Sequence, residues 1–310
     1  MIYLFTHENY QFTTKGLRRF RDVKPNVKVR SYKWLLGRQS LRAGVVVFTD
    51  FDRLIFDEHL KISQLAKLFA VNGVRVLNDP ARVQMRYELL HNLYKTGWNP
   101  YQVWRATSFP QLPDDIFPVF LKSEGAHSAP LGGLLASQAE LDDQIERIKT
   151  GGVPLHHILV TQFIDAPIRE GVWQRNTHFC IGNKIFAGTP VIEDSPFVKY
   201  GSIGLATDED HAQVIATTHD DSYDEDMKRV FAMANINYGR ADYVVVNGKP
   251  VIFEINTNPT LPYLSKSKNL GFVELQNENR LRVLEAFCDL DSPNIKTKWN
   301  KKTLARISFP

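Results

Sequence analysis

The sequence predicts a mixed α/β protein, and three features predict it. Short apolar runs alternate with amphipathic stretches over the first eighty residues, which is the pattern of a small parallel sheet flanked by helices. Later segments read as strands turning directly back on themselves, which only antiparallel pairs can do. The composition is that of an ordinary globular chain, with 43% hydrophobic and 23% charged residues over 310 positions, so disorder is not the default.

The elements follow in order. IYLF at 2–5, GVVVFTDF at 44–51 and VRVL at 74–77 read as strands, VKVRSYKWLL at 27–36 carries a further apolar run, and EHLKISQLAKLFAVNG at 58–73 has helical periodicity. This sheet is too small for a complete doubly wound domain. NDPARVQMRYELLHNLYKTG is expected to be a helix: Asn78 or Asp79 caps it, Pro80 suits the first turn, Leu89, Leu90 and Leu93 share a face, and Gly97 ends it. QVWRAT and FPVFLK are strands. The glycine-bearing segment SEGAHSAPLGG at 123–133 reads as a loop, and it leads to a helix opened by Ser137 and Glu140 as a capping box. HILVTQFI is a strand, residues 168–188 a pair of strands turning at Gly182-Asn183, and residues 221–236 a helix with acids in its first turn. In DYVVVNGKPVIFEINTNP, Asn247-Gly248 joins two apolar runs into a hairpin.

Charge is uneven. Residues 1–50 hold ten Lys or Arg against three acids, NIKTKWNKKTLAR adds five cations and no acid, and 191–226 is acid-rich. Scattered surface cations more often mean solvation than a polyanion site, so nucleic acid is not expected as a partner. Cys180 and Cys288 are distant in sequence and form no CxxC motif, which points to neither a disulfide scaffold nor a zinc site. With no basic leader and no eighteen-residue apolar run, the expected location is cytoplasmic, with no membrane partner.

The hairpin also carries chemistry. Glu254 and Asn256 lie two apart on one strand face, and Asp242 on the partner strand returns to them. Two carboxylates and an amide oxygen without thiol or imidazole suit a hard cation such as Mg2+, with Mn2+ as an alternative, and Mg2+ commonly takes its other ligands from water and substrate phosphates. Equally, Asp242 can be a strand cap, and Asn256 and Asn258 turn residues ahead of Pro259.

Several motifs, in order over residues 78–262, together resemble the ATP-grasp superfamily of carboxylate ligases, including its glutathione synthetase-like and ribosomal-protein glutamate ligase-like members. Arg86 stands eleven residues before Gly97, where the family has a basic nucleotide-binding residue. Lys122 ends FPVFLK where the family has its second ATP-binding lysine. SEGAHSAPLGG looks like the phosphate-covering loop, with Gly125 and Ser128 in it. TQFID resembles the hinge, and GRADYVVVNGKPVIFEINTNP resembles the terminal metal motif.

The resemblance implies an ATP-grasp fold preceded by a small parallel-sheet domain: residues 1–78, then 79–165 as helical segment and small lobe, 166–290 as the lobe with the metal site, and 291–310 as a basic tail. It implies ATP and Mg2+ as cofactors and an ADP-forming ligase that activates a carboxylate as an acylphosphate for attack by an amine. Arg86, Lys122, Gly125, Ser128, Gln162, Phe163, Ile164 and Asp165 would bind the nucleotide, and Asp242, Glu254 and Asn256 the metal. Many relatives carry an arginine where this chain has Thr177, so Arg175, Lys199 and Arg240 are the cations assigned to the reaction centre. Gln162 stands where the hinge acid is usual. A small-molecule or peptide carboxylate and an amine are the implied partners, with an acceptor pocket built by FTHENY, VVFTDFDR and the acidic segment around VIEDSPFVKYGS, where Glu193 and Asp194 are acids that could hold a cationic amine, and relatives are often homo-oligomers. A phosphotransferase of the same fold and a non-catalytic nucleotide- or nucleic-acid-binding module are the alternative readings.

Overall fold

The computed structural model describes residues 1–109, 111–125, 129–202, 204–263 and 267–300. The chain opens with β1 (Ile2–Thr6), whose five side chains are all buried, and an irregular helical segment at Glu8–Leu17. Then come β2 (Val27–Ser31), the one-turn helix α1 (Tyr32–Leu36) capped by the Ser31 hydroxyl, β3 (Ser40–Ala43), β4 (Val45–Phe48), α2 (Phe56–Val71) and β5 (Arg75–Leu77). The order β2-β1-β4-β5 is parallel throughout. Strands β1 and β4 read as unbroken apolar runs because both of their faces are covered. Phe5, Phe48 and Phe69 pack on the α2 side, while Ile2, Leu4, Val45 and Val47 pack against Phe179, Phe287 and Leu290 from the second half of the chain.

The next helix departs from expectation. Helix α3 (Arg86–Lys95) begins at Arg86 rather than just after Asn78-Asp79, and Met85 at its start makes no side-chain cap. Asn78 is not a cap but a connector: its amide donates to the carbonyls of Phe48 (3.0 Å) and Tyr238 (2.7 Å), and its oxygen accepts the N–H groups of Asn237 and Tyr238. Buried and in the left-handed region at φ 55°, it cannot open a helix.

A second, antiparallel sheet follows, built from β6 (Val103–Arg105), β7 (Val119–Ser123), β8 (Leu131–Leu135) and, after α4 (Gln138–Thr150), β9 (Ile158–Gln162), in the order β6-β9-β7-β8. Helix α4 covers it with Leu141, Ile145 and Ile148. Gly132 and Gly133, expected in the loop after β7, lie on β8. Both have positive φ beside a register shift, and a Cβ on Gly132 would stand 2.6 Å from the Gln144 side chain, so sheet geometry accounts for glycine there. Ser137 caps α4, but Glu140 turns back to the Ala136 N–H (2.7 Å).

The third sheet holds β10 (Pro167–Arg169), β11 (Val172–Ile181), β12 (Lys184–Glu193), β13 (Tyr238–Val246) and β14 (Lys249–Asn256), with α5 (Asp208–His219) and α6 (Asp224–Met233) between β12 and β13. The β13–β14 turn is Asn247-Gly248, both at positive φ, as the sequence predicts. Helix α7 (Leu270–Leu290) then runs back to the first sheet, and β15 (Ile295–Lys298) pairs antiparallel with β3. Among the described residues no helix is long and apolar enough to cross a membrane.

Candidate active site

The β13–β14 ladder sets Asp242 opposite Glu254 and Arg240 opposite Asn256. Asp242 lies within β13 rather than at its start, and is only 1% exposed. Such a buried carboxylate needs a partner. Arg240, two residues back on the same face, donates Nε (2.8 Å) and Nη2 (3.0 Å) to its two oxygens, and Arg175 from β11 brings Nη1 to 3.4 Å. Burial opposes the charge on Arg240, but Asp242 outweighs it and raises the guanidinium pKa.

Glu254 gathers the other lobe. Arg86, the first residue of α3, donates Nη2 to Glu254 and Nη1 to the Ser123 carbonyl (2.8 Å), while Lys122 on β7 places Nζ 3.5 Å from the same Glu254 oxygen. Glu254 favours charge on Lys122, yet burial and the nearby Arg86 together prevail and lower its pKa. Glu124 fixes the start of α3 by accepting the Tyr87 N–H (3.1 Å) while pairing with Arg105. Two separate sheets and one helix terminus thus meet through a single carboxylate.

These groups line a cavity of about 1150 Å3. Its described lining holds six cations, Arg53, Arg86, Lys122, Arg175, Lys199 and Arg240, against Asp50, Asp242 and Glu254. The excess positive charge, in a partly desolvated space, suits a polyanion. Among the described residues the buried Nε atoms of Arg86 and Arg175 have no hydrogen-bond partner.

The other end of the cavity is aromatic. Phe120, Phe163 and Phe197 meet edge to face, with ring centroids 5.2 and 5.9 Å apart, beside Ile164. Phe197 comes from the acid-rich segment, whose loop is tied down by Glu193 accepting the N–H groups of Lys199 and Tyr200, and by Arg175 donating to the carbonyls of Val198 (3.1 Å) and Lys199 (3.2 Å). Glu193 therefore organises the loop, and Asp194 accepts from the Ser202 hydroxyl (2.6 Å); neither lines the cavity, so, against expectation, neither is placed to hold an amine there. Two hinge N–H groups are also engaged, Gln162 to the Gln102 carbonyl (3.1 Å) and Phe163 to the Pro118 carbonyl (3.0 Å), and so are not free to read a ligand edge. Asp165 accepts from the Trp173 indole (2.8 Å) and lies outside the cavity lining.

The parallel sheet closes the third side through FTHENY and VVFTDFDR, two stretches expected to build the acceptor pocket, of which Tyr10, Asp50 and Arg53 line the cavity. Asp50, 2% exposed, accepts from the Thr6 hydroxyl, the His7 N–H (3.1 Å) and the Asn258 amide (2.8 Å). Arg53 stands 3.4 Å from Asp50 and stacks over Tyr10 at 3.6 Å. Asn258, expected as a plain turn residue, is buried and accepts from Thr13 (2.8 Å). Its N–H donates to Asn256 Oδ1 (2.8 Å), which couples the terminal ligand candidate to the first domain. Gly125 approaches this domain closely, since a Cβ there would stand 3.1 Å from the Asp52 carbonyl. Ser128 lies outside the described residues. Burial, with the neighbouring Asp50 adding to it against Arg53, pushes the Asp52 carboxyl up to about 6.

Could the hairpin hold a divalent ion? Among the described residues no three His, Cys, Asp or Glu side chains gather into a metal cluster. The donors at hand are two carboxylates in cross-strand register and one amide oxygen, all hard, which fits an ion that fills its other positions with water or phosphate oxygens.

No protein-family model matches the chain, and no curated protein matches it. Solved structures with similar outlines include D-alanine–D-alanine ligase from Bacillus anthracis, one form of which is complexed with ATP. For its other form the TM-score is 0.47 at 11% identity, over 92% of this chain and 98% of that one. A RimK domain ATP-grasp protein from Sphaerobacter thermophilus gives 0.47 at 14%, over 94% and 98%. Carboxyaminoimidazole ribonucleotide synthase from Aspergillus clavatus, complexed with ATP, gives 0.43 at 11%, over 83% and 69%.

Proposed function

We propose that the chain is an ATP- and Mg2+-dependent ligase that activates a carboxylate as an acylphosphate for attack by an amine, releasing ADP and phosphate. The observation that carries this reading is the meeting of Arg86, Lys122, Arg175, Asp242 and Glu254 from two sheets and a helix start inside one cleft with an aromatic end.

In this reading a nucleotide base lies among Phe120, Phe163 and Phe197, and its phosphates reach the cationic end. A substrate carboxylate oxygen attacks the γ-phosphorus, and the bond from that phosphorus to the β-bridging oxygen breaks, so ADP departs. The amine nitrogen then attacks the acyl carbon, the C–O bond to phosphate breaks, and the amine loses a proton. Carboxylates are poor electrophiles, and phosphorylation supplies the leaving group. Little covalent chemistry is asked of the protein; positioning and charge neutralisation suffice. Lys122 and Arg86 exchange Glu254 for phosphate oxygens, with the Arg86 fork suited to bidentate contact. Arg175 and Lys199 face the transferred group. Arg240, with Nε and Nη2 engaged by Asp242, holds that carboxylate rather than substrate. Asp242, Glu254 and Asn256 would hold Mg2+, which when bound supplies positive charge to the phosphate oxygens.

The test is incubation of the protein with ATP, Mg2+ and pooled amino acids and dipeptides, with nucleotide and product analysis. ADP, phosphate and a condensed product support the reading. AMP release, a phosphorylated product without condensation, or no nucleotide consumption would each overturn it.

A further inference from the structure

The basic stretches near the two ends of the chain, more than 250 residues apart, form one surface. Lys28 lies over Tyr3 (5.9 Å), Tyr3 stacks on Trp34 (5.8 Å), and the guanidinium groups of Arg30 and Arg38 both pack on Trp34 (5.4 and 4.5 Å). From Arg38 the chain passes through Gln39, whose carbonyl accepts the Trp299 N–H (2.9 Å), into β3, and β15 pairs alongside. Arg42 is then directly opposite Lys296, and Ser40 opposite Lys298. All four are exposed, while Leu41 and Thr297, on the other face of the ribbon, are buried.

Two features separate this from ordinary solvation. Between Lys24 and Phe48, and again from Ser292 to Pro310, the sequence contains no acid, and among the described residues none of these six cations is in an ion pair. Arg42 opposite Lys296 is also a like-charge cross-strand pair, which costs stability with no structural return unless an external anion neutralises it. None of the six lines the cavity, so the surface is not part of the site described above.

We propose that this face binds the phosphate backbone of RNA. A folded protein partner would call for apolar anchors, and no exposed large hydrophobic residue lies in 20–48 or 291–300. An inserted membrane face requires the same. The surface consists of a β-ribbon, a sheet edge and a one-turn helix, with no long helix to enter the major groove of B-DNA, whereas A-form RNA offers a wide, shallow groove read through its backbone.

Fluorescence anisotropy of the full chain with a labelled RNA stem-loop tests this, with a DNA duplex of the same length and polyglutamate as the other arms. Neutralising about six phosphates gives a log–log salt slope of roughly −4 to −5, so affinity should fall by about 100-fold or more between 50 and 200 mM salt. The combined variant Arg38→Ser, Arg42→Ser, Lys296→Ser and Lys298→Ser should lose at least about tenfold in affinity at 100 mM salt and flatten the slope by about 3. The charge-preserving set Arg38→Lys, Arg42→Lys, Lys296→Arg and Lys298→Arg should keep binding. A control removing the exposed Lys61, Lys149, Lys184 and Lys228 should also keep it. No RNA binding at 50 mM salt, equal loss in the control, or equal affinity for the DNA duplex or polyglutamate overturns the proposal. None of these outcomes bears on ATP turnover, which is tested separately.

Discussion

Replacing Asp242 with Asn removes a charge that two guanidinium groups share. At 2.8 Å, and at the effective dielectric near 20 that suits protein sites, one such contact amounts to roughly 6 kcal/mol of Coulomb energy before desolvation is counted. Desolvation has already been incurred by both partners, because Asp242 is 1% and the Arg240 side chain 17% exposed. What the substitution leaves is two arginines stripped of the carboxylate both contact, and breaking such a buried pair from one side costs about 3–5 kcal/mol. For a chain of 310 residues the melting temperature should fall by roughly 5–8 °C. Adding Arg240→Met to Asp242→Asn should restore much of that loss, since of the two guanidinium groups only Arg175, which also donates to the Val198 and Lys199 carbonyls, then remains beside the amide. ADP formation should stay absent in both proteins. The assay is thermal melting followed by circular dichroism, beside coupled ADP release. An Asp242→Asn protein that melts within about 1 °C of wild type, or that turns over ATP normally, would refute the reasoning.

Other expectations follow from the same geometry. Phe197→Ala should raise the KM for ATP about tenfold with little change in kcat, because it opens the aromatic end of the cleft without touching the cations; steady-state kinetics distinguish this from a fall in kcat. Gly16→Ala should destabilise by roughly 2–4 kcal/mol in urea melts, since its Cβ would stand 2.4 Å from the Pro262 carbonyl where the first domain meets the chain after β14. Asp52, with its carboxyl raised from 3.8 to about 6, binds more protons folded than unfolded between those values, so its contribution to stability falls as pH rises through that window. The difference between Asp52→Asn and wild type should accordingly grow in favour of the variant by about 1–3 kcal/mol between pH 4 and 7, and a flat difference would contradict it.

How much of this was legible in the sequence depends on how local the cause is. The apolar runs of β1 and β4, the capped helix α4 and the Asn247-Gly248 turn are fixed by nearest neighbours, and each lies where patterning puts it. The start of α3 was not legible, because Asn78 is held by Phe48, Asn237 and Tyr238, which only the assembled sheets bring near. The stretches VIEDSPFVKYGS and VVFTDFDR pointed to a pocket, but the contact of Phe197 with Phe120 and Phe163 and the bond between Asn258 and Asp50, more than two hundred residues apart, again need the assembled sheets. Within VVFTDFDR, Asp50 is an acid two residues past a wholly apolar strand, a position where α/β proteins place ligand-facing groups. Glu193 shows the converse, since net charge pointed to a ligand and backbone N–H groups claimed it instead. For the basic surface, both charge-biased stretches are visible in the sequence but nothing local brings them together, and it takes the β3–β15 pairing to set Arg42 beside Lys296.

The central claim is that Glu254 balances Arg86 and Lys122 until a divalent ion and a polyphosphate replace those contacts. Calorimetric titration of ATP with and without Mg2+, on wild type and Glu254→Gln, tests it most directly. The account predicts that Mg2+ strengthens ATP binding at least tenfold in wild type and changes it little in Glu254→Gln. An equal gain in both proteins, or no ATP binding to wild type with Mg2+ present, would contradict it.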